Sequence, residues 1–285
     1  MKNLTKTISI TSYNRPEILT KCLNSLHKCE LIDQYNIVII QQKYNEKFKR
    51  IFDNFKYKFP NFKIVKTSYP NNWGPYKKMT INGYKGFEFC FEKLKSDIGY
   101  YLEDDIVVSN DYLIFSEYIL NKYKNDTNFF AVNGFSKELF DKSKINLYSK
   151  FVYGIGKGWG IHNDKWKTIK KFWNKKFINS LNPEYDSPIE NFIKKNNFYV
   201  VMPICSRTYE QKSKGVSIAI TDNKYFSEFK SSFVNIKNKN FNFKYSFFSN
   251  YSWRKDCKKY KGKIIGILEI KVRNIFKTIL RIFFK

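Results

Sequence analysis

Histidine is nearly missing from this chain, in which His27 and His162 are the two that occur. Two histidines cannot build a His-rich metal centre, so we expect any bound metal to be held by carboxylates. Long apolar runs are missing as well, because none reaches the roughly 20 residues needed to span a bilayer. The sequence therefore excludes a histidine-based metal site and predicts no transmembrane helix.

The cysteines form no paired motif. There are five of them, an odd number, widely spaced and without a CxxC pair. No secretory signal peptide is recognisable at the amino terminus. We therefore expect free thiols in a reducing cytosol. The five are Cys22, Cys29, Cys90, Cys205 and Cys257.

What the chain has in abundance is positive charge and aromatic side chains. Its formal net charge is +27, with 42% hydrophobic and 19% aromatic residues over 285 residues. The apolar content is enough for a packed core, and the length predicts one α/β domain with an appendage. The charge predicts attraction to nucleic acid, anionic lipid or negatively charged substrates without distinguishing among them.

Short apolar strands alternate with amphipathic helices along the first half of the chain. This order predicts a parallel, doubly wound sheet, in which ligands bind beyond the carboxyl ends of the strands. The predicted strands cover residues 7–11, 36–40, 62–65 and 100–102. The predicted helices cover a segment opened by Pro16 and residues 47–55, 82–94, 111–123 and 189–195.

Three acids follow the fourth predicted strand directly: Glu103, Asp104 and Asp105. Side chains alternate along a strand, so we expect the first and third to point one way and the second the other. Clustered carboxylates repel each other unless a cation compensates, and a hard divalent ion shared with phosphate oxygens suits them. The alternative is an acidic loop that starts the next helix, with Asp111 as its N-cap.

A polar loop, Ser12, Tyr13, Asn14 and Arg15, ends the first strand. It borders the crevice expected at the carboxyl edge of the sheet, where Arg15 could contact a base or a diphosphate through charge-assisted bonds. The alternative is an ordinary strand-to-helix connection.

Two further segments are candidates for the chemistry. Residues 154–160 are rich in glycine but lack the GxxxxGK[ST] spacing of a phosphate-binding P-loop. The glycines would either let the backbone approach a sugar ring closely or form a structural turn. Asp186 and Glu190 stand one helical turn apart, and either could act as a general base. Their alternatives are a helix N-cap and a solvated surface acid.

Taken in order over most of residues 7 to 220, these segments resemble GT-A glycosyltransferases. The resemblance is to the N-acetylglucosaminyltransferase I family and to bacterial family-2-like enzymes. Gln42 stands where that family commonly has aspartate, and Asp186 falls on the family's base. The matching segments are 12–15, 37–42, 82–85, 103–112, 156–166 and 203–217.

The resemblance implies the GT-A fold and an inverting transfer from a nucleotide-diphosphate sugar, with a UDP-sugar favoured. It implies Mn²⁺ or Mg²⁺ on Asp105, Asp186 as the base with Glu190 as its alternative, and a loop around Ser217 that closes over the donor. The implied nucleotide-sugar-binding residues are Ser12, Asn14, Arg15, Gln42, Tyr84, Lys85, Glu103, Asp104, Gly158, Trp159, Arg207 and Ser217.

The composition changes near residue 235, which predicts a catalytic domain at 1–235 and a separate C-terminal segment at 236–285. Within residues 261–285, apolar positions recur at helical spacing beside a row of basic residues. That pattern predicts a helix lying on an anionic membrane surface, or else a helix docked on the catalytic domain. Membrane docking suits a glycan or lipid-linked acceptor in bacterial surface polysaccharide synthesis, with the protein in the cytoplasm and peripheral on the inner face of the membrane.

Two other classes of function would fit some features of the sequence. A nucleic-acid-binding protein would explain the charge and the aromatics, but it leaves the acidic residues 103–105 unexplained, and no nucleic-acid-binding motif is visible. We therefore expect no nucleic-acid partner. A nucleotidyltransferase could use the same acids, and release of pyrophosphate from a nucleoside triphosphate would identify it.

Overall fold

The computed structural model of the protein describes residues 4–59, 61–136, 141–152, 154–177, 186–211 and 242–246. The side chains at 174–177 and 186–188 lie outside that description. Ser217, Cys257 and the predicted membrane helix at 261–285 also lie outside the described residues.

The described residues contain strands and helices in the alternating order that the sequence predicts. The strands are β1 Lys6–Ser12, β2 Tyr35–Gln41, β3 Asn61–Lys66, β4 Ile98–Glu103, β5 Ile106–Val108, β6 Phe129–Asn133, β7 Leu147–Phe151, β8 Trp159–His162, β9 Tyr199–Pro203, β10 Thr208–Glu210 and β11 Lys244–Tyr245. The α-helices are α1 Pro16–His27, α2 Glu46–Phe55, α3 Pro75–Glu88, α4 Tyr112–Tyr123, α5 Asn163–Phe177 and α6 Asp186–Lys195.

Nine of these strands form one twisted layer within the described residues, and β5 and β10 form a separate antiparallel ribbon. Strand β1 pairs in parallel with both β2 and β4, and β8 enters antiparallel beside β4. The predicted α/β fold, a mostly parallel sheet flanked by helices, is thus confirmed. The order across the sheet is β11-β7-β9-β6-β8-β4-β1-β2-β3.

Local sequence explains how the first helices form. Pro16 stands in the first turn of α1, where its missing N–H is not needed. Asn45 caps α2, since its side chain accepts from the backbone N–H groups of Lys47 and Phe48. Both helices then bury one apolar face against the sheet. The buried residues are Leu19, Cys22, Leu23 and Leu26 in α1, and Phe48, Phe52 and Phe55 in α2.

Helix α3 differs from its predicted bounds of 82–94. It begins at Pro75, seven residues earlier, because proline is favoured in a first helical turn, and after Glu88 it continues as a π-helical turn, Phe89–Lys93. It also packs very close to the sheet. A Cβ on Gly86 would lie 2.7 Å from the Ser9 hydroxyl, so glycine is required at this contact.

A short piece of the predicted C-terminal segment adds to the edge of the sheet. Strand β11 pairs with β7, and Phe243 is buried and accepts a hydrogen bond from the Tyr118 hydroxyl at 3.1 Å. Residues 242–246 thus pack on the catalytic domain, although the sequence predicts that this domain ends at residue 235. Within the described residues, no helix is long and apolar enough to cross a membrane.

Candidate active site at the carboxyl edge of the sheet

The loops that follow β1 and β2 lie side by side. The backbone N–H of Gln42 donates to the carbonyl of Ser12 at 3.0 Å, and Asn14 is exposed at the tip of the loop. The chain then turns directly into α1, so Arg15 stands at the position that caps this helix. The parallel pairing of the strands therefore brings the predicted loop residues to one edge of the sheet, as expected.

The acidic residues follow β4 at the same edge. The strand ends at Glu103, and both following aspartates are almost fully buried, Asp104 at 1% and Asp105 at 5% exposed. The Ser12 hydroxyl donates to Asp104 Oδ2 at 3.0 Å. The Arg15 guanidinium pairs with Asp104 through Nη2 and with Asp105 Oδ2 through Nη1, the latter at 2.9 Å.

This arrangement corrects the expected alternation of the three acids. Alternation requires a continuous strand, but the chain leaves β4 after Glu103 and turns before it enters β5. Asp104 and Asp105 consequently both face one guanidinium, that of Arg15. The turn concentrates the two carboxylates on a single cation.

Burial dominates the electrostatics of this cluster. It raises the pKa of Asp104, although Arg15 and the hydroxyl of Ser12 favour the charged form. Burial and the nearby carboxylate of Glu103 raise the pKa of Asp105 well above its usual range, and Arg15 opposes that rise. One guanidinium therefore does not offset the cost of burying these two carboxylates.

Asp105 has the features of a partial metal site. Its Oδ1 is buried and finds no hydrogen-bond partner among the described residues, whereas Oδ2 pairs with Arg15. Within the described residues, no group of three or more His, Cys, Asp or Glu side chains could hold a metal ion. A hard cation that takes one carboxylate from the protein and further oxygens from phosphate and water fits this donor set.

A second ion pair lies beside Asp105 and was not predicted. Lys157 Nζ lies 3.0 Å from a carboxylate oxygen of Glu210, and both side chains are largely buried. The charge of Glu210 is close enough to contribute to the raised pKa of Asp105. No local signal marks these two residues. The pairing of β10 with β5 brings Glu210 there, and the Thr208 hydroxyl donates to the carbonyl of Lys157 at 2.7 Å.

The glycine-rich segment forms a tight turn. Gly154, Gly156 and Gly158 all have positive φ, at 98°, 123° and 90°, where side chains are strained. The backbone N–H of Gly154 donates to Glu190 Oε1 at 3.0 Å. Asp186 is the first residue of α6, and its side chain lies outside the described residues. The structural-turn alternative therefore accounts for the glycines, and Glu190 holds that turn.

Arg207 lies apart from this cluster. We predicted that it binds the nucleotide sugar, but the structure buries it completely and ties Nε to Asp111 Oδ2 at 3.2 Å and Nη1 to the carbonyl of Cys205 at 2.7 Å. No exposed surface of its guanidinium remains for a ligand. Asp111 precedes α4 as predicted, yet it makes no capping bond, because its carboxylate serves Arg207 and the hydroxyl of Ser109.

Two predicted aromatic ligands are also in the interior. Trp159 is fully buried in the core, and Tyr84 is 8% exposed and packs 5.3 Å, between ring centroids, from Trp166. Lys85 Nζ lies 4.9 Å from the ring centroid of Tyr69. The residues that the structure brings together are therefore those of the β1 loop and the acidic turn.

Together the sheet order, the loops at its carboxyl edge and the acidic turn define the GT-A fold. Comparison with solved structures finds the same architecture in S. aureus TarS. The structure of its fragment 1–349 matches with a TM-score of 0.51 and 13% sequence identity, over 73% of this chain. The structure of the same fragment in complex with UDP-GlcNAc matches with a TM-score of 0.51 and 12% sequence identity, over 79% of this chain. At such identity the likeness concerns the fold alone.

The match covers 61% of the first TarS chain and 64% of the second, so this chain spans less than two thirds of their length. A longer TarS structure matches with a TM-score of 0.50 and 12% identity, over 73% of this chain and 37% of that one. No protein-family model matches the chain. No curated protein matches its sequence.

Proposed function

We propose that the chain is an inverting glycosyltransferase that takes a sugar from a nucleotide-diphosphate sugar. The observation that carries this proposal is the buried pair Asp104 and Asp105, held by Arg15 at the carboxyl edge of a GT-A fold. A ligand that brings both a divalent cation and a diphosphate complements these carboxylates and this guanidinium. An acidic loop without function would gain nothing from burial.

The donor is proposed to be a UDP-sugar. The TarS fragment with the same fold has been solved with UDP-GlcNAc, which supports a nucleotide sugar of that kind. In this chain the nucleotide would lie along the joined loops after β1 and β2, against Asn14 and Gln42. Arg15 would lie beside the diphosphate while it keeps Asp104 and Asp105 as its partners.

Asp105 is the proposed holder of Mn²⁺ or Mg²⁺. When bound, the cation supplies charge that stabilises the diphosphate as it leaves. The protein contributes the oxygen ligand, Asp105 Oδ1, in a buried setting where charge interactions are strong. Ser12 and Arg15 hold the neighbouring Asp104 in place, so the acidic turn is fixed before any ligand binds.

The base is proposed to be Asp186 at the start of α6. An acceptor hydroxyl attacks the anomeric carbon from the face opposite the diphosphate, the new C–O bond forms as the bond to the diphosphate breaks, and the base takes the hydroxyl proton. Glu190 already accepts the backbone N–H of Gly154 at 3.0 Å, which ties its carboxylate to the glycine turn. We therefore assign Glu190 to positioning the glycine turn.

The acceptor is proposed to be a glycan or a lipid-linked saccharide of bacterial surface polysaccharide synthesis. The net charge of +27 supports an anionic membrane surface as the working place, reached through residues 261–285. In that arrangement the protein would work in the cytoplasm, on the inner face of the membrane.

A thermal-unfolding screen tests the function directly. The full chain is heated with nucleoside diphosphates and nucleotide sugars, each with Mn²⁺ or with EDTA. A UDP-sugar with Mn²⁺ should raise the midpoint, since a ligand that binds the native state stabilises it by about 2.7 kcal/mol at 100 times its Kd. No shift with any nucleotide sugar, combined with pyrophosphate release from a nucleoside triphosphate, would favour a nucleotidyltransferase.

A further inference from the structure

Gln211 stands directly opposite Asp105 across the β5–β10 ribbon. The antiparallel register pairs Thr208 with Val108 and Glu210 with Ile106, and one more step in that register pairs Gln211 with Asp105. The backbone N–H of Gln211 donates to the carbonyl of Asp105 at 2.7 Å, which shows that the antiparallel pairing extends to these two residues. Directly opposed residues project from the same face with Cβ atoms about 4.5–5.5 Å apart.

Both side chains carry an oxygen that lacks a protein donor. Asp105 Oδ1 and Gln211 Oε1 are buried, and neither finds a hydrogen-bond partner among the described residues. Each residue is 5% exposed. The other end of each side chain is already fixed, because Asp105 Oδ2 pairs with Arg15 and Gln211 Nε2 donates to the carbonyl of Ile18 at 3.2 Å. The two remaining atoms are both acceptors.

Two buried acceptors on directly opposed residues call for a donor or a cation. A buried acceptor left unsatisfied costs about 1–3 kcal/mol, and native proteins rarely keep one without a reason. Carboxylate and amide carbonyl oxygens are the ligands that hard divalent cations take. A diphosphate oxygen would instead add a third acceptor.

We infer that Gln211 Oε1 and Asp105 Oδ1 bind the same divalent cation, with phosphate and water oxygens completing its coordination. This inference rests on the proposed function, which supplies the cation. It assigns a metal ligand to a residue outside the acidic turn, directly after β10. Because the amide is neutral, the second ligand adds no further repulsion among Glu103, Asp104 and Asp105.

The ribbon that carries Gln211 is well suited to hold a ligand in place. Its start is anchored by the buried pair of Arg207 with Asp111, and the backbone N–H of Ser109 donates to the carbonyl of Arg207 at 2.8 Å. Three paired positions then lead to Gln211. A metal ligand needs a rigid support of this kind.

The test is Mn²⁺ binding to the full chain in the presence of saturating UDP, followed by electron paramagnetic resonance. Gln211→Leu removes the oxygen at similar size, and Gln34→Leu, an exposed glutamine remote from the site, is the matched control. We expect Gln211→Leu to weaken Mn²⁺ binding at least about tenfold, because even the loss of a group that merely supports a metal ligand costs 10–100-fold. Gln34→Leu should bind as the wild type does.

Gln211→Glu keeps the oxygen and adds charge, so it should bind Mn²⁺ at least as tightly as the wild type. If thermal unfolding without Mn²⁺ shows that Gln211→Leu does not fold, the test rests on Gln211→Glu. Weaker Mn²⁺ binding by Gln211→Glu than by the wild type then overturns the inference. Equal affinity in Gln211→Leu and the wild type, with binding lost in Asp105→Asn, also overturns it but leaves the proposed function intact. A wild-type chain that binds no nucleoside diphosphate rejects the proposed function, and the inference with it.

Discussion

The guanidinium of Arg15 lies 2.9 Å, Nη1 to Oδ2, from the carboxylate of Asp105. The same guanidinium reaches Asp104, so one cation serves two buried acids. Burial lowers the pKa of Arg15, but the two carboxylates outweigh burial and the net change is upward. Arg15 therefore acts as the internal counter-charge of the acidic turn.

Arg15→Met should destabilise the protein when no metal is present. Removing one partner of a fully buried ion pair costs about 3–5 kcal/mol, and because Arg15 is partly exposed we expect about 2 kcal/mol in urea unfolding. Mn²⁺ should restore part of this loss, since it replaces the missing charge. Lys49→Met, which breaks the exposed pair with Glu46, should change stability by less than about 0.5 kcal/mol. An equally small effect for Arg15→Met would contradict the counter-charge role.

Arg207 is expected to act on stability and not on ligand contact. Arg207→Met leaves the carboxylate of Asp111 buried without its partner, so we expect a loss of about 3–5 kcal/mol in urea unfolding. The double variant Arg207→Met/Asp111→Leu should lose less than the two single variants combined, because it leaves no lone charge. If Arg207→Met has normal stability and binds UDP more weakly, the structural role is contradicted and Arg207 contacts the ligand.

The base assignment separates Asp186 from Glu190. Asp186→Asn should lower turnover by about 10²–10⁴-fold and leave UDP affinity unchanged, since it alters proton transfer alone. Glu190→Gln keeps an oxygen that can accept the N–H of Gly154, so its effect should be below about tenfold. Steady-state kinetics with the acceptor decide between them. If Glu190→Gln is the inactive variant and Asp186→Asn is not, the assignment is wrong by one helical turn.

A chain that ends at residue 260 should remain folded and active on a water-soluble acceptor. It retains Phe243, which is buried against the domain, and every residue of the described site. In sedimentation with anionic liposomes the full chain should pellet and salt should release part of it, because the Debye length is about 8–10 Å. The shortened chain should stay in solution. Equal pelleting of the two chains would count against a membrane segment.

The sequence predicts those parts of the site that are marked by a pattern of neighbouring residues. An apolar strand followed at once by polar residues locates Ser12 to Arg15 and the acids after β4, and parallel pairing brings such strand ends together. Gln211 and the pair of Lys157 with Glu210 carry no such signal. The places of Glu210 and Gln211 depend on the register between β5 and β10, about 100 residues apart in the chain.

Two of the predictions for individual residues did not anticipate tertiary structure. The expected alternation of the acids assumes that β4 continues past Glu103, whereas the chain turns there. Arg207 was assigned to the nucleotide sugar by the family resemblance alone, whereas the structure buries it completely. A buried charge needs a partner. Asp111 supplies that partner from 96 positions away, which no pattern near Arg207 indicates.

The most direct measurement is the calorimetric titration of UDP into the full chain, with Mn²⁺ and with EDTA, for the wild type and for Asp105→Asn. Binding of UDP by the wild type should weaken at least about tenfold in EDTA, because the cation links the diphosphate to Asp105. Asp105→Asn should bind UDP equally weakly with and without Mn²⁺. Equal affinity in all four titrations, or no binding of any nucleoside diphosphate by the wild type, would contradict a metal-dependent nucleotide-sugar site at Asp105.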